Sequence, residues 1–312
     1  MRMALREKNM SRHASSNLEP AVIGEILVRL MDNIRLFSER NVLELIGVLE
    51  GVKEVVRVPV TIREWQILRA GCEHLGLVIR HANFKLAVMR TTRVGDTFTA
   101  NVQWDDPAGQ EFPAYIARSR ETVQRALDIE TAADNDALIG RLYQYPECCI
   151  RAYAEIAQGL SWVESLVHSA RSSWQERAAN KLAYLFDGGS LFPDYFPCTL
   201  SCQKTIKLTE MYRTLLKRYC LGDLAESLWE RMGRPVLVGH GVAYQFANSR
   251  LELDTLLFDP DAVRRCSWND DDSDPLGSSE FVHVRKEGPW LRAVWEEQAV
   301  GTLFMFKERD LS

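Results

Sequence analysis

Apolar residues recur at Ile23, Ile26, Leu27, Leu30, Met31, Ile34 and Phe37, three or four positions apart, so the chain opens on an amphipathic helix. The pattern then changes. Residues 42–49 and 55–61 are rich in aliphatic side chains and flank the turn-like Glu50-Gly51-Val52-Lys53, which reads as a β-hairpin. Helical spacing returns over 62–75 and stops at Gly76. Residues 77–80, 84–91, 98–104 and 112–117 read as strands, broken by Gly95-Asp96 and by Asp105-Asp106-Pro107-Ala108-Gly109.

From Arg120 the apolar period is helical again. Helices are expected over 120–133, 135–144, 147–158, 162–187 and 203–232, the last marked by Leu208, Met211, Tyr212, Leu215, Leu216 and Tyr219. From Pro235 strands return at 236–238, 242–246, 281–284 and 302–306. Between them, residues 269–275 carry four aspartates and read as a solvated loop. The expected fold is therefore α+β. An α+β region with a largely antiparallel sheet spans 21–118, a helical region 119–233, and a small β-rich region 234–312, with residues 1–20 expected to be disordered.

Composition narrows the function classes. A chain of 312 residues fits one large domain or two ordinary ones. Lys+Arg is 38 and Asp+Glu is 43, a net charge of −5, too acidic for a protein that coats phosphate backbones, so no nucleic-acid partner is expected. No stretch approaches the ~18 apolar residues of a membrane span. Arg2, Arg6, Lys8 and Arg12 are not followed by the apolar run of a secretory signal. The expectation is a cytoplasmic protein with reduced thiols. No GxGxxG, GxxxxGK[ST] or GxSxG sequence occurs, so neither the common nucleotide-binding routes nor an α/β-type serine hydrolase is supported.

The cysteines carry the specific chemistry. Of the seven, four fall in two similar contexts, Tyr145-Pro146-Glu147-Cys148-Cys149-Ile150 and Phe196-Pro197-Cys198-Thr199-Leu200-Ser201-Cys202. Each context has a proline just ahead of cysteine and a helical pattern behind it, which places all four cysteines in the first turns of helices. Free N–H groups and the positive end of the helix dipole favour anions there, and the thiolate is the form that ligates metal. On a helix, Cys198 and Cys202 at i, i+4 share a face, roughly 6 Å apart. Cys148 and Cys149 diverge by about 100°, so both join a single-ion site only with distortion. Cys148, Cys149, Cys198 and Cys202 are accordingly the expected metal or cofactor ligands. The radical-SAM spacing CxxxCxxC is not completed, because Thr205 stands at its third cysteine position. Cys72, Cys220 and Cys266 read as packing or surface residues.

The combination of Tyr-Pro-Glu-Cys-Cys at 145–149 with Phe-Pro-Cys-x-x-x-Cys at 196–202 resembles a poorly characterised group of prokaryotic proteins sharing a "YPECC … PCxxxC" cysteine core. The likeness runs loosely from about Leu43 to Phe246. It implies a joint role for the four cysteines and no particular substrate.

Three further residues are candidates for chemistry. Glu147 can act as a general acid or base, or simply favour the first turn of a helix. Lys204 can offset thiolate charge or remain a solvated lysine. His240, between Gly239 and Gly241, can supply a ligand or base, or sit in a turn. Tyr143 and Tyr145 can line a pocket or pack as aromatics. The leading expectation is an enzyme, an oxidoreductase or Lewis-acid catalyst, holding an iron–sulfur cluster (4Fe-4S) and acting on a small molecule, with a possible electron-donor protein as partner. The alternatives are a non-catalytic protein with a structural zinc site and a metal-free thiol oxidoreductase.

Overall fold

A computed structural model describes residues 18–35, 37–90, 97–107, 109–131, 136–156, 162–170, 172–187, 192, 195–239, 242–267, 276, 281–295 and 298–307. Most of the segment expected to be disordered, and the aspartate-rich loop at 269–275, lie outside the described residues. The chain divides into two compact units, one formed by residues 1–88, 99–145 and 214–222, the other by 89–98, 146–213 and 223–312. The fold is α+β, with antiparallel pairing dominant.

The first unit contains helices α1 (Pro20–Asn33), α2 (Glu39–Leu49), α3 (Ile62–His74), α4 (Arg120–Glu130) and α5 (Asp136–Leu142). Its sheet has β5 (Phe112–Ala117) between β1 (Val55–Val60) and β2 (Val78–His81), both antiparallel to it, with Val58 opposite Ala114 and Ile79 opposite Ile116. Strands β3 (Lys85–Arg90) and β4 (Thr97–Val102) make a separate pair. Every residue of β5 is buried, as a central strand covered on both faces requires. Val123 and Ala126 of α4 pack with Val55, Tyr115 and Ala117, while α2 also packs on β1 and β5.

The first half of the expected hairpin is a helix. Residues 41–48 of α2 are all buried, so the apolar run shows no amphipathic period, and a short run of that kind does not distinguish a strand from a buried helix. Local chemistry decides it. Ser38 and Asn41 form a capping box at the start, and Arg40 pairs with Glu44 one turn later at 3.2 Å. Glu44 also receives the buried Lys53 ammonium at 3.7 Å.

The second unit holds α6 (Glu147–Ile156), α7 (Trp162–Ser169), the short α8 (Tyr184–Asp187), and most of α9 (Gln203–Arg218) and α10 (Gly222–Gly233). The expected helix over 162–187 breaks after Ser169, because the sheet takes up the backbone there. Ser173 donates to the Pro289 carbonyl at 3.0 Å, and its own carbonyl accepts from Met305 N–H at 2.8 Å. β6 (Trp174–Glu176) then runs parallel to β14 (Gln298–Lys307). The expected helix over 203–232 is two helices. Cys220 takes a left-handed φ of 58°, Leu221 N–H closes on the Leu216 carbonyl at 2.9 Å, and α10 restarts at Gly222.

The remaining strands are β7 (Val236–Val238), β8 (Val242–Phe246), β9 (Arg250–Glu252), β10 (Thr255–Leu257), β11 (Val263–Ser267), β12 (Phe281–Glu287) and β13 (Trp290–Trp295). With β6 and β14 they form a nine-stranded sheet ordered β11-β8-β7-β14-β13-β12-β10-β9, β6 pairing with β14 off this path. Side chains alternate across it. Leu237 and Leu303 face a cluster with Tyr244, Phe246 and Val282, whereas Val236, Val238, Phe304 and Phe306 face Val163, Leu166, Leu182 and Leu200.

At Gly24 helix α1 comes close to the backbone that follows α9. A Cβ at this position would stand 2.1 Å from the Tyr219 carbonyl oxygen. Gly24→Ala is therefore expected to lose about 1–3 kcal/mol through overpacking. The exposed neighbour change Glu25→Ala should stay within about 0.5 kcal/mol. Urea unfolding of both variants checks the contrast, and equal midpoints would contradict it.

Candidate metal centre

The four predicted cysteines converge. The sulfurs of Cys148, Cys149, Cys198 and Cys202 all lie within 4.8 Å of one another. Cys148 and Cys149 sulfurs are 3.9 Å apart, Cys148 and Cys202 3.9 Å, and Cys149 and Cys202 3.8 Å. All four thiols are free. Cys149 and Cys202 are buried, and Cys148 and Cys198 are half-buried.

Local structure brings the first pair into position. Helix α5 ends with Gln144 at φ 60°, and Tyr145 N–H closes back on the Gly140 carbonyl at 2.9 Å. The chain then reaches Pro146, whose carbonyl accepts from Cys149 N–H at 2.8 Å and from Ile150 N–H at 3.0 Å. Pro146 is thus the cap residue before the first helical turn, and Cys148 and Cys149 occupy that turn of α6. Their sulfurs do not diverge as the helical geometry suggests. Rotation of adjacent side chains about χ1 recovers a separation of 3.9 Å.

The second pair departs from expectation. Cys198 and Cys202 precede α9 instead of riding on it. Residues 198–201 form a turn, closed by Cys202 N–H on the Thr199 carbonyl at 3.2 Å, and the Cys202 carbonyl accepts the first helical bond from Ile206 at 2.9 Å. Cys202 is therefore the N-cap of α9, a position that ordinarily holds a side-chain acceptor. Its neighbours are anchored in the core: Leu200 packs against Val236 and Phe304 of the sheet, and Ile206 against Ala178, Ala179 and Trp229.

Hydrogen bonds to sulfur complete the centre. Cys198 N–H donates to the Cys149 sulfur at 3.4 Å. Thr205, fully buried three residues after the cap, supplies both hydroxyl and backbone N–H to Cys202. The Thr205 hydroxyl also lies 3.8 Å from the Cys149 sulfur and 3.1 Å from the Tyr195 hydroxyl. The sequence pattern identified Thr205 only as a missing cysteine. Its signal was its place at the third helical position after a capping residue, the position a capping box uses.

The thiols respond unequally. Hydrogen bonds from Cys149, then Cys198, and from Thr205 outweigh burial and hold Cys202 far below the ordinary thiol range. The Cys149 thiol is pushed far up by its hydrogen bonds to Cys198 and Cys202 and by burial. At Cys198 the hydrogen bond to Cys149 lowers the value, but the bond to Cys202 and burial prevail and push it up to about 12. Metal-free, the cluster thus favours a thiolate at Cys202, with Cys149 and Cys198 protonated. A cation must displace those protons to gather the remaining thiolates.

Glu147 and Lys204 are exposed on the first turns of α6 and α9. His240 lies outside the described residues. Tyr143 and Tyr145 belong to the first unit, where both rings lie close to the buried Lys53 ammonium, 5.9 and 5.3 Å from their centroids. Cys72 is buried, Cys220 exposed and Cys266 half-buried, none of them in the cluster.

Residues 117–221 match the model of a family described as a protein of unknown function, DUF483. The DUF483 match is narrower than the likeness read from the sequence, yet it contains all four clustered cysteines, Tyr195 and Thr205. It fits the resemblance to a poorly characterised group. Comparison with curated proteins and with solved structures gave no match. Among the described residues no helix is long and apolar enough to cross a membrane.

Two outcomes are expected. Apparent zinc affinity should rise with pH, because each proton displaced from a thiol that is still protonated makes binding about tenfold tighter per pH unit. Chelator competition at pH 6, 7 and 8 measures the slope, and a flat profile would contradict the arrangement. Thr205→Val keeps the shape but removes the hydroxyl, and should weaken metal binding by about 10- to 100-fold with the fold intact by circular dichroism.

Proposed function

We propose that the four cysteines bind a single divalent ion, zinc by preference, and that this closed tetrathiolate centre is structural. The observation that carries the reading is the sulfur spacing. A tetrahedral ion with metal–sulfur bonds of about 2.3 Å sets its sulfurs about 3.8 Å apart. Three of the pairs stand at 3.8–3.9 Å. Four protein thiolates fill a tetrahedral shell, which leaves no open position for water or substrate and marks structural sites over catalytic ones.

The iron–sulfur enzyme reading uses the same ligands differently. A four-iron cluster places each thiolate on a separate iron and needs the sulfurs farther apart than the ligands of one ion. The spacing therefore supports a single ion. Acid–base roles for Glu147, Lys204 and His240 go with the enzyme reading, and the structural centre does not require them.

The centre has a mechanical purpose in this proposal. Cys148 and Cys202 are 54 positions apart in sequence, so the ion closes a long loop. By the entropy argument used for cross-links of that span, closure contributes about 4 kcal/mol. It ties the start of α6 to the start of α9.

Metal and sulfide analysis of anaerobically purified protein tests this directly. One zinc per chain, no acid-labile sulfide and a colourless solution are expected. Cobalt exchanged into the site should show the visible bands of a tetrahedral tetrathiolate. Cys202→Ser should lower metal occupancy and melting temperature together. A brown, sulfide-containing protein would replace this reading with the cluster enzyme. Metal-free protein that cycles between thiol and disulfide would replace it with a thiol oxidoreductase.

A further inference from the structure

The first unit contains a cleft of about 700 Å³ that the metal centre does not use. It lies between α3 and β2, with Arg120 at the start of α4 completing its wall. The volume falls within the roughly 300–1,000 Å³ of small-molecule pockets. Three observations define what it can take.

The first is charge. Arg69, Arg80 and Arg120 line the cleft against one carboxylate, Glu73. Glu73 is engaged by Arg69 at 2.7 Å. Arg80 donates to the Gln124 amide oxygen at 2.7 Å, a neutral acceptor that holds the guanidinium in place without cancelling its charge. The acidic group acting on Arg120's side is its neighbour Glu121, which is fully exposed to solvent screening. In a chain of net charge −5, this is a locally positive pocket.

The second is an aromatic wall. Trp65 meets His81 edge-on at 5.2 Å and Phe112 at 5.8 Å, and His81 lies against Trp104 at 5.6 Å. These contacts fix the Trp65 and His81 rings, both of which line the cleft. A flat ring finds a pre-ordered stacking surface there at little entropic cost. The third is an apolar strip from Leu77 and Val78 beside the charged groups.

Guanidinium groups select phosphate or carboxylate oxygens, and a rigid aromatic wall selects a flat ring. We propose that this cleft binds a nucleoside monophosphate. The volume accommodates a single nucleotide, in keeping with a chain too acidic overall to coat a nucleic-acid backbone. The site is independent of the cysteine centre, and neither a Gly-rich loop nor a Rossmann motif contributes to it.

Isothermal titration of the full-length protein with AMP, GMP, CMP and UMP, each separately, tests the proposal. At least one should bind saturably. Its nucleoside alone and inorganic phosphate alone should each bind at least about tenfold more weakly, since each loses one half of the contacts. The double change Arg80→Gln with Arg120→Gln, on exposed side chains, should weaken binding at least about tenfold while leaving melting temperature and metal content unchanged. Trp65→Leu should weaken binding of nucleotide and nucleoside alike. Arg125→Gln, which breaks an exposed pair with Glu54 outside the cleft, should leave binding unchanged. Failure of all four nucleotides to bind, or binding that is indifferent to the arginine pair, overturns the proposal without touching the metal reading.

Discussion

Four sulfur atoms within 4.8 Å of one another are an electrostatic problem before they are a functional site. Two thiolates 3.9 Å apart repel by about 4 kcal/mol at an effective dielectric near 20, and a full set of four has six such pairs. The cluster can exist only if protons or a cation intervene. The thiol behaviour follows from this: one thiolate at Cys202, with Cys149 and Cys198 held in the protonated form. Cys149 and Cys202 are both buried, so the second unit keeps these two sulfurs inside the cluster.

The commitment reaches the hydrophobic core through a few residues. Leu200 lies between Cys198 and Cys202 and is fully buried against β7 and β14. Ile206 follows the cap by one turn and is fully buried against Ala179 and Trp229. The turn of 198–202 is closed by its own bonds to Thr199 and held by these two anchors on one side and the sulfurs on the other. The core places the cysteines to within a few ångströms of one another.

The sequence announced the participants better than the arrangement. Shared Pro-Cys contexts picked out all four cysteines, and strands 112–117, 236–238 and 242–246 emerged with their observed limits. Misreadings have a common physical root: tertiary partners that no local pattern encodes. The 42–49 run is apolar apart from Glu44 because residues 41–48 of α2 are buried, Glu44 itself being paired with Arg40 and Lys53. Residues 172–176 leave helical geometry because Pro289, Leu291 and Met305, more than a hundred positions away, provide hydrogen bonds that a helix would have to forgo. The i, i+4 spacing of Cys198 and Cys202 suggested a helix face, although the same spacing fits a turn that ends on an N-cap. Strands β9 and β10 have three residues each and β11 carries two adjacent arginines, which gives the period-two pattern little to show.

The N-cap position of Cys202 carries a chemical consequence that helix-face ligands would not. A divalent ion with four thiolates bears a net charge of about −2, and a partly buried centre of that charge needs positive surroundings. Two helices begin at the cluster: α6 brings Cys148 and Cys149 in its first turn, and α9 is capped by Cys202 itself. Each helix start presents the positive end of its dipole, worth roughly 0.3–1 kcal/mol per charge and more when partly buried. Thr205 N–H on Cys202 and Cys198 N–H on Cys149 are the specific donors. Compensation by fixed backbone dipoles does not depend on flexible side chains, so it persists through changes of salt and pH that would loosen a surface ion pair.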